Sequence, residues 1–315
     1  MPPAARVIAD GPLAADVLEL AGQRIAWLPW QVAIEGSREE VDAIYTYGHP
    51  RVDGAMLDRL RGVRVISNYG VGVDHIVLAD AQQRGIPVGN TPGILDGATA
   101  DMGFSLLLSA ARRLVEGDRY ARSPEFTVYD PGYMLGREVH HGTLGIVGLG
   151  RIGRQVARRA RAFDMTVLYC NRRRRPEVEA ELGVIHVPFE ELLAGSDYVM
   201  LCCPLTPETT RLIDAAALAR MKPTATLINI ARGAVVDTAA LTAALEKKQI
   251  ASAALDVTDP EPLPRGHRLL ELPNVVIAPH LGSATVQTRR RMAEMSIENL
   301  FAGLESLPLP YLVGT

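Results

Sequence analysis

The chain has 315 residues, 48% hydrophobic and 22% charged, with a formal net charge of −3. That length exceeds what one hydrophobic core usually supports, so two domains are expected. The near balance of charge argues against a nucleic-acid partner, which normally calls for a basic excess.

No run of 18 apolar residues is present, so no membrane partner is expected. The opening "MPPAARVIADGPLAADVL" has no positive segment followed by an apolar one, so no signal peptide is read. The cysteines are Cys170, Cys202 and Cys203. They form no C-x-x-C, which argues against a disulfide framework or a cysteine zinc site and for a reducing cytoplasm.

In chain order, β-branched runs alternate with helical patterns: "RVIA", "RIAWL", "AIYTY" and "VRVIS", then "TLGIVG", "MTVLYC", "YVMLCC", "TLINI", "ASAALDV" and "VVIAP". Between them, segments such as "RQVARRARAF" and "DTAALTAALEKK" space their apolar residues by three and four. Such alternation predicts α/β architecture: doubly wound parallel sheets with helices on both faces. "GNTPGILDG" marks a division near residues 90–97, and residues 98–122 form the longest continuous helical pattern. Residues 124–142 read as irregular. "TVQTRRRMAEMSIENLFAGL" predicts a last amphipathic helix that can cross back to the first unit.

"TLGIVGLGRIGRQVARRA" places Gly148-x-Gly150-x-x-Gly153 between a strand and a helix, the context a dinucleotide turn requires. There Gly148 permits the tight turn, Gly150 lets a pyrophosphate approach the backbone, and Gly153 lets the helix lie close to the sheet. The next strand ends at Cys170, where an Asp or Glu would bind the ribose hydroxyls of NAD. The sequence there is Asn171-Arg172-Arg173-Arg174-Arg175, with no acid. A carboxylate would repel a 2′-phosphate, whereas a guanidinium holds one bidentately, so NADP(H) is expected. Arg172 and Arg173 are the expected ligands with Asn171 nearby, and Arg174 and Arg175 are left to solvent.

Three strand ends carry reactive chemistry. "TLINI" runs into Ala231-Arg232-Gly233, "ASAALDV" into "TDPEP" with Glu261, and "VVIAP" into His280. His280 is the natural acid–base group, because the reference pKa of a histidine lies near neutrality. Glu261 can orient the imidazole and favour its cation, and Arg232 can bind an anionic substrate. Alone, each is ordinarily structural; together at consecutive strand ends of a dinucleotide unit they point to hydride transfer. His140-His141 has no carboxylate or Cys at ligand spacing, so no metal is expected. Trp27 and Trp30 are expected to pack in the first unit, and no G-x-S-x-G supports a hydrolase.

The segments "NYGVGVDHI", "GLGRIG", "PLTPETTRLI", "INIARGAVVD", "ALDVTDPEPLP" and "PHLGSAT" together resemble the D-isomer-specific 2-hydroxyacid dehydrogenases. The likeness runs towards the glyoxylate/hydroxypyruvate and 2-ketogluconate reductases. It implies that Arg232, Glu261 and His280 are the catalytic trio, with His280 the proton donor. It further implies that the amides of Val71 and Gly72 meet the substrate carboxylate, with Arg232 and His280 also on the substrate. Cofactor contacts are implied at Arg151, Ile152, Cys203, Thr209, Ile230, Ala231, Asp256 and Gly282, and at Thr99 near the nicotinamide. The family usually has Glu where Asp101 stands.

The implied fold is a flavodoxin-like substrate domain (1–96 plus 282–315) and a Rossmann cofactor domain (97–281), with a cleft between them. Members are normally homodimers, and Tyr133 is the counterpart of an aromatic that in some reductases lines the partner's pocket. The implied reaction is NADPH-dependent reduction of small 2-oxo acids, glyoxylate and hydroxypyruvate first. "NRRRR" fits 2-ketogluconate reductases equally well. A dinucleotide-sensing corepressor is the alternative of another class.

Overall fold

A computed structural model describes residues 3–36, 40–48 and 50–314. The chain divides into two compact units, Met1–Leu95 with Thr285–Thr315, and Asp96–Ala284.

The first unit runs β1 (Ala5–Ala9), α1 (Ala15–Ala21), β2 (Ile25–Pro29), α2 (Gln31–Glu35), β3 (Ala43–Thr46), α3 (Gly54–Arg59), β4 (Val65–Asn68), α4 (Leu78–Gln83) and β5 (Val88–Gly89). Its strands are parallel in the order β2-β1-β3-β4-β5, the flavodoxin-like winding. Every residue of β3 and β4 is buried, as expected of strands covered on both faces, and one core gathers Ile8, Ile44, Val52, Leu57, Ile66 and Val88. Trp30 packs against that core, and Trp27 meets Tyr45 edge-on at 5.5 Å.

The second unit runs α5 (Asp96–Ala111), α6 (Leu114–Ala121), β6 (Thr143–Val147), α7 (Arg151–Ala162), β7 (Thr166–Cys170), α8 (Pro176–Leu182), β8 (Ile185–His186), α9 (Phe189–Gly195), β9 (Tyr198–Leu201), α10 (Ala215–Arg220), β10 (Thr226–Asn229), α11 (Thr238–Glu246), β11 (Ser252–Leu255) and β12 (Val275–Ile277). All seven strands are parallel, in the order β12-β11-β10-β9-β6-β7-β8. Winding reverses between β6 and β9, which puts the ligand crevice of a Rossmann sheet at their carboxyl ends. α7 shows why the sequence folds this way. Gly153, Val156, Ala157 and Ala160 are buried on one face, while Arg154 and Arg158 pair with Glu181 on the other.

The closing helix α12 (Val286–Leu304) returns to the first unit. There Tyr45 and Ser67 hydrogen-bond Ser296 at 2.8 and 2.7 Å, and Arg290 pairs with Asp16 and Glu19 of α1.

One expectation is corrected. Residues 98–122 do not form one continuous helix, because Arg113 adopts a left-handed backbone (φ 53°) between α5 and α6. The Ala111 carbonyl, which a continuing helix would engage, accepts instead from the Arg137 amide at 2.8 Å. Among the described residues the longest helix is α12, with 19 residues. The two-residue strands β5 and β8 are too short for any periodicity to announce.

Candidate active site

The glycine turn joins β6 to α7 at the winding reversal. Gly148 has φ 98°, and a Cβ there would lie 2.7 Å from the Cys203 nitrogen. A Cβ at Gly153 would lie 2.3 Å from the Gly148 oxygen, so the helix can approach the strand only without one. Gly150, the N-cap of α7, is the opposite case: a Cβ would meet nothing within 4 Å. Two glycines are therefore demanded by packing, and the third faces open space beside the helix N-terminus, which fits a pyrophosphate.

Around the turn, Arg151 pairs through Nε with the buried Asp96 at 3.0 Å. Ile152 is half-buried against the core. Cys203 is buried, and burial pushes its thiol up to about 11, so it is no nucleophile. Thr209 uses its hydroxyl inside its own turn, donating to the Pro204 carbonyl at 2.7 Å and accepting from the Thr206 amide at 2.8 Å.

After β7, Arg172 and Arg173 are exposed, and Asn171 donates through Nδ2 to the Arg173 carbonyl at 3.0 Å. Arg174 is not simply solvated. Its guanidinium forks onto Glu179 of α8, Nε to Oε1 at 2.8 Å and Nη2 to Oε2 at 2.7 Å. That fork and the Tyr169 hydroxyl pull the Glu179 carboxyl down to about 2.

The three reactive groups stand on loops after β10, β11 and β12. Asn229, buried at the end of β10, accepts from the Ala231 amide at 3.0 Å and donates to the Arg232 carbonyl at 2.9 Å, fixing the turn that carries Arg232. The next residue is Gly233, where a Cβ would lie 1.9 Å from the Thr258 oxygen. The Arg232 loop thus presses directly on the loop leading to Glu261. Glu261 accepts from the Thr258 amide through Oε2 at 3.2 Å and meets His280 Nδ1 through Oε1 at 2.7 Å. The sequence-predicted trio is brought onto neighbouring loops, with the acid and the imidazole in direct contact.

His280 has φ 55°, a left-handed conformation that costs a non-glycine residue about 1–2 kcal/mol. Asp256, just past β11, holds it there. Its carbonyl accepts from the His280 amide at 2.9 Å, and its carboxylate accepts from the Leu281 and Gly282 amides at 2.7 and 2.8 Å. Burial pushes the Asp256 carboxyl above the usual range, while those amides and His280 pull it back. Thr99 is buried in α5, its side chain 3.3 Å from where a Gly282 Cβ would sit. Asp101 is taken up by an ion pair with Arg159 of α7 at 2.6 Å.

In the first unit, the loop after β4 is held by its carbonyls. Buried Asn68 donates to the Gly70 and Gly72 carbonyls at 2.9 Å each, and Asn90 donates to the Val71 carbonyl at 2.9 Å. Each amide lies opposite the carbonyl before it in a trans peptide, so the Val71 and Gly72 N–H groups point away from these clamps.

Sequence reasoning missed Asn229, Asn68 and Asn90 as clamps and Asp256 as the scaffold of the histidine loop. A signal existed: Asn68 and Asn229 end otherwise apolar strands, Asp256 follows one, and all three are buried. The rings of His140 and His141 meet edge-on at 4.8 Å, and no group of three or more His, Cys, Asp or Glu among the described residues is placed to hold a metal. Among them, no helix is long and apolar enough to cross a membrane.

Comparison with known proteins gives the family of the chain. Residues 104–282 match the family model described as D-isomer specific 2-hydroxyacid dehydrogenase, NAD binding domain. A glyoxylate reductase of Thermococcus gammatolerans is 47% identical over 279 residues, 87% of this chain and 83% of that protein. One from Korarchaeum cryptofilum is 49% identical over 265 residues, 84% of this chain and 80% of that protein. Among solved structures, an NADPH-dependent glyoxylate/hydroxypyruvate reductase of Sinorhizobium meliloti, in complex with NADP and malonate, matches with TM-score 0.88 and 30% identity, covering 98% of this chain and 97% of that one. The chain belongs to the D-isomer-specific 2-hydroxyacid dehydrogenase family. It is an oxidoreductase of the 2-hydroxy acid/2-oxo acid couple with a nicotinamide-dinucleotide fold.

Proposed function

We propose that the protein reduces small 2-oxo acids to D-2-hydroxy acids with NADPH, glyoxylate to glycolate and hydroxypyruvate to D-glycerate. The observation that carries the reading is the 2.7 Å contact between His280 Nδ1 and Glu261 Oε1 on loops shared with Arg232. Relatives named glyoxylate reductase, and a structural neighbour that binds NADP, support the substrate class and the cofactor.

Gly148, Gly150, Gly153 and the first amides of α7 would hold the pyrophosphate of the cofactor, which when bound supplies the hydride. Arg232 holds the substrate carboxylate and polarises its carbonyl. With Nδ1 engaged by Glu261, His280 delivers its Nε2 proton to the carbonyl oxygen as that oxygen becomes an alkoxide. Glu261 fixes the orientation of the imidazole through that contact. Arg172 and Arg173 bind the 2′-phosphate; a carboxylate there would repel it.

Leu114, Val128, Tyr129 and Leu135 are 61–79% exposed in one stretch of the second unit, and the Tyr133 ring meets Tyr120 at a tilt with centroids 4.8 Å apart. An apolar surface of this kind suits a second copy of the chain, so we assign the protein a homodimer. Its free cysteines suit the cytoplasm.

Initial rates with glyoxylate, hydroxypyruvate, pyruvate and 2-ketogluconate, each with NADPH and NADH, test the reading. Glyoxylate or hydroxypyruvate with NADPH should be fastest. A preference for 2-ketogluconate would reassign the substrate, and dinucleotide binding without turnover would make the protein a sensor.

A further inference from the structure

The loop between β7 and α8 is tethered at every residue but one. Asn171 holds the Arg173 carbonyl. Arg174 is forked onto Glu179. The Arg175 amide donates to the Tyr169 hydroxyl at 2.8 Å, and the Arg175 carbonyl accepts from the Val178 and Glu179 amides at 3.0 Å each. The Tyr169 hydroxyl in turn donates to Glu179 Oε1 at 2.6 Å. Tyr169 is fully buried, and the Glu179 side chain is only 16% exposed. One buried phenol and one largely covered carboxylate thus join the strand before the loop, the loop itself and the helix after it.

We propose that Tyr169 and Glu179 are positioning residues for the 2′-phosphate subsite: Glu179 holds the Arg174 guanidinium on α8 and Tyr169 holds the Arg175 backbone against β7, so that the loop presents Arg172 and Arg173 to the nucleotide. The inference rests on the NADP(H) reading of this loop. Four adjacent cations repel one another and each carries long-chain rotamer freedom, so an untethered loop would lose much of that freedom on gripping a phosphate. Glu179 cancels one charge and fixes one arginine, and Tyr169 fixes the backbone of the next. The loop meets its ligand already shaped, and neither positioning residue touches it.

Charge and positioning predict opposite signs. Glu179→Gln removes a negative charge beside an anion subsite, so electrostatics alone would tighten NADPH. Positioning requires that NADPH weaken. Dissociation constants for NADPH and NADH should be measured on the full chain for the wild type, E179Q, Y169F and the R172A/R173A double variant. E179Q and Y169F are expected to raise the NADPH constant about fivefold, the effect of one tethering hydrogen bond, with NADH within about twofold of wild type. Y169F removes a single oxygen from a buried ring, so it keeps the test alive should E179Q fold poorly.

Unchanged or tighter NADPH binding in both variants, with R172A/R173A still abolishing the NADPH preference, would overturn the positioning role and leave the cofactor reading standing. Equal losses for NADPH and NADH in both would also overturn it, as general damage to the sheet edge. If R172A/R173A itself left NADPH binding unchanged, the cofactor reading would fall, and the positioning role with it.

Discussion

Two stretches of the second unit present charged groups at strand ends, and they are fastened differently. Around residues 229–282 the fastening is backbone on buried polar side chains. Asn229 and Asp256 are 1% and 2% exposed, and His280 is kept in a left-handed conformation by three hydrogen bonds that its own amide and the next two donate to Asp256. Around residues 171–175 the arginines are exposed, and their tethers converge on Tyr169 and one carboxylate. Reacting groups tolerate little displacement, so the fold commits interior hydrogen bonds to them. A surface loop held by a few side chains can be rewritten without disturbing the core, which suits the cofactor-selecting role proposed for it.

The contrast can be broken in four places. His280→Ala removes the proton donor and should lower kcat by about 10²–10⁴-fold while leaving NADPH affinity intact; steady-state kinetics with a binding titration would check both. Gly233→Ala forces a Cβ against the Thr258 carbonyl and should destabilise the protein by about 3 kcal/mol in urea unfolding, with turnover falling because Arg232 moves. Asp256→Asn leaves one of the Leu281 and Gly282 amides facing a donor, at a cost of about 1–2 kcal/mol by the same measurement.

The smallest effect belongs to the arginine loop. The Glu179 carboxyl is held at about 2, below its ordinary 4.5, so whatever it contributes is present above that ordinary value and lost as pH falls towards about 2. A carbon-detected NMR titration should find its midpoint low and find it raised in Y169F, with the global unfolding curve little changed. A midpoint at the ordinary value would mean that the fork onto Arg174 does not persist in solution.

Much of this was legible beforehand because its causes are local. Alternating β-branched and helical runs foretold two parallel sheets, and a glycine triad between strand and helix foretold the turn with its open face at Gly150. The placing of Arg232, Glu261 and His280 on neighbouring loops was legible as charged groups at consecutive strand ends. The break at Arg113 was not, because it depends on Arg137 reaching the Ala111 carbonyl from 26 residues downstream. Nor was the fate of Arg174, since charge runs look alike in sequence and only the turn of α8 brings Glu179 beneath one member. The asparagine clamps could have been noticed: a lone amide closing an apolar strand has to find partners, and here the partners are the functional loops.

The return of α12 has a consequence for synthesis. Because that helix covers β4 and supplies Ser296 to Tyr45 and Ser67, the flavodoxin-like unit cannot be completed until α12 has left the ribosome. The Rossmann unit is contiguous and can close first. A chain truncated after residue 285 should therefore already protect its dinucleotide fold from protease while its amino-terminal sheet is digested.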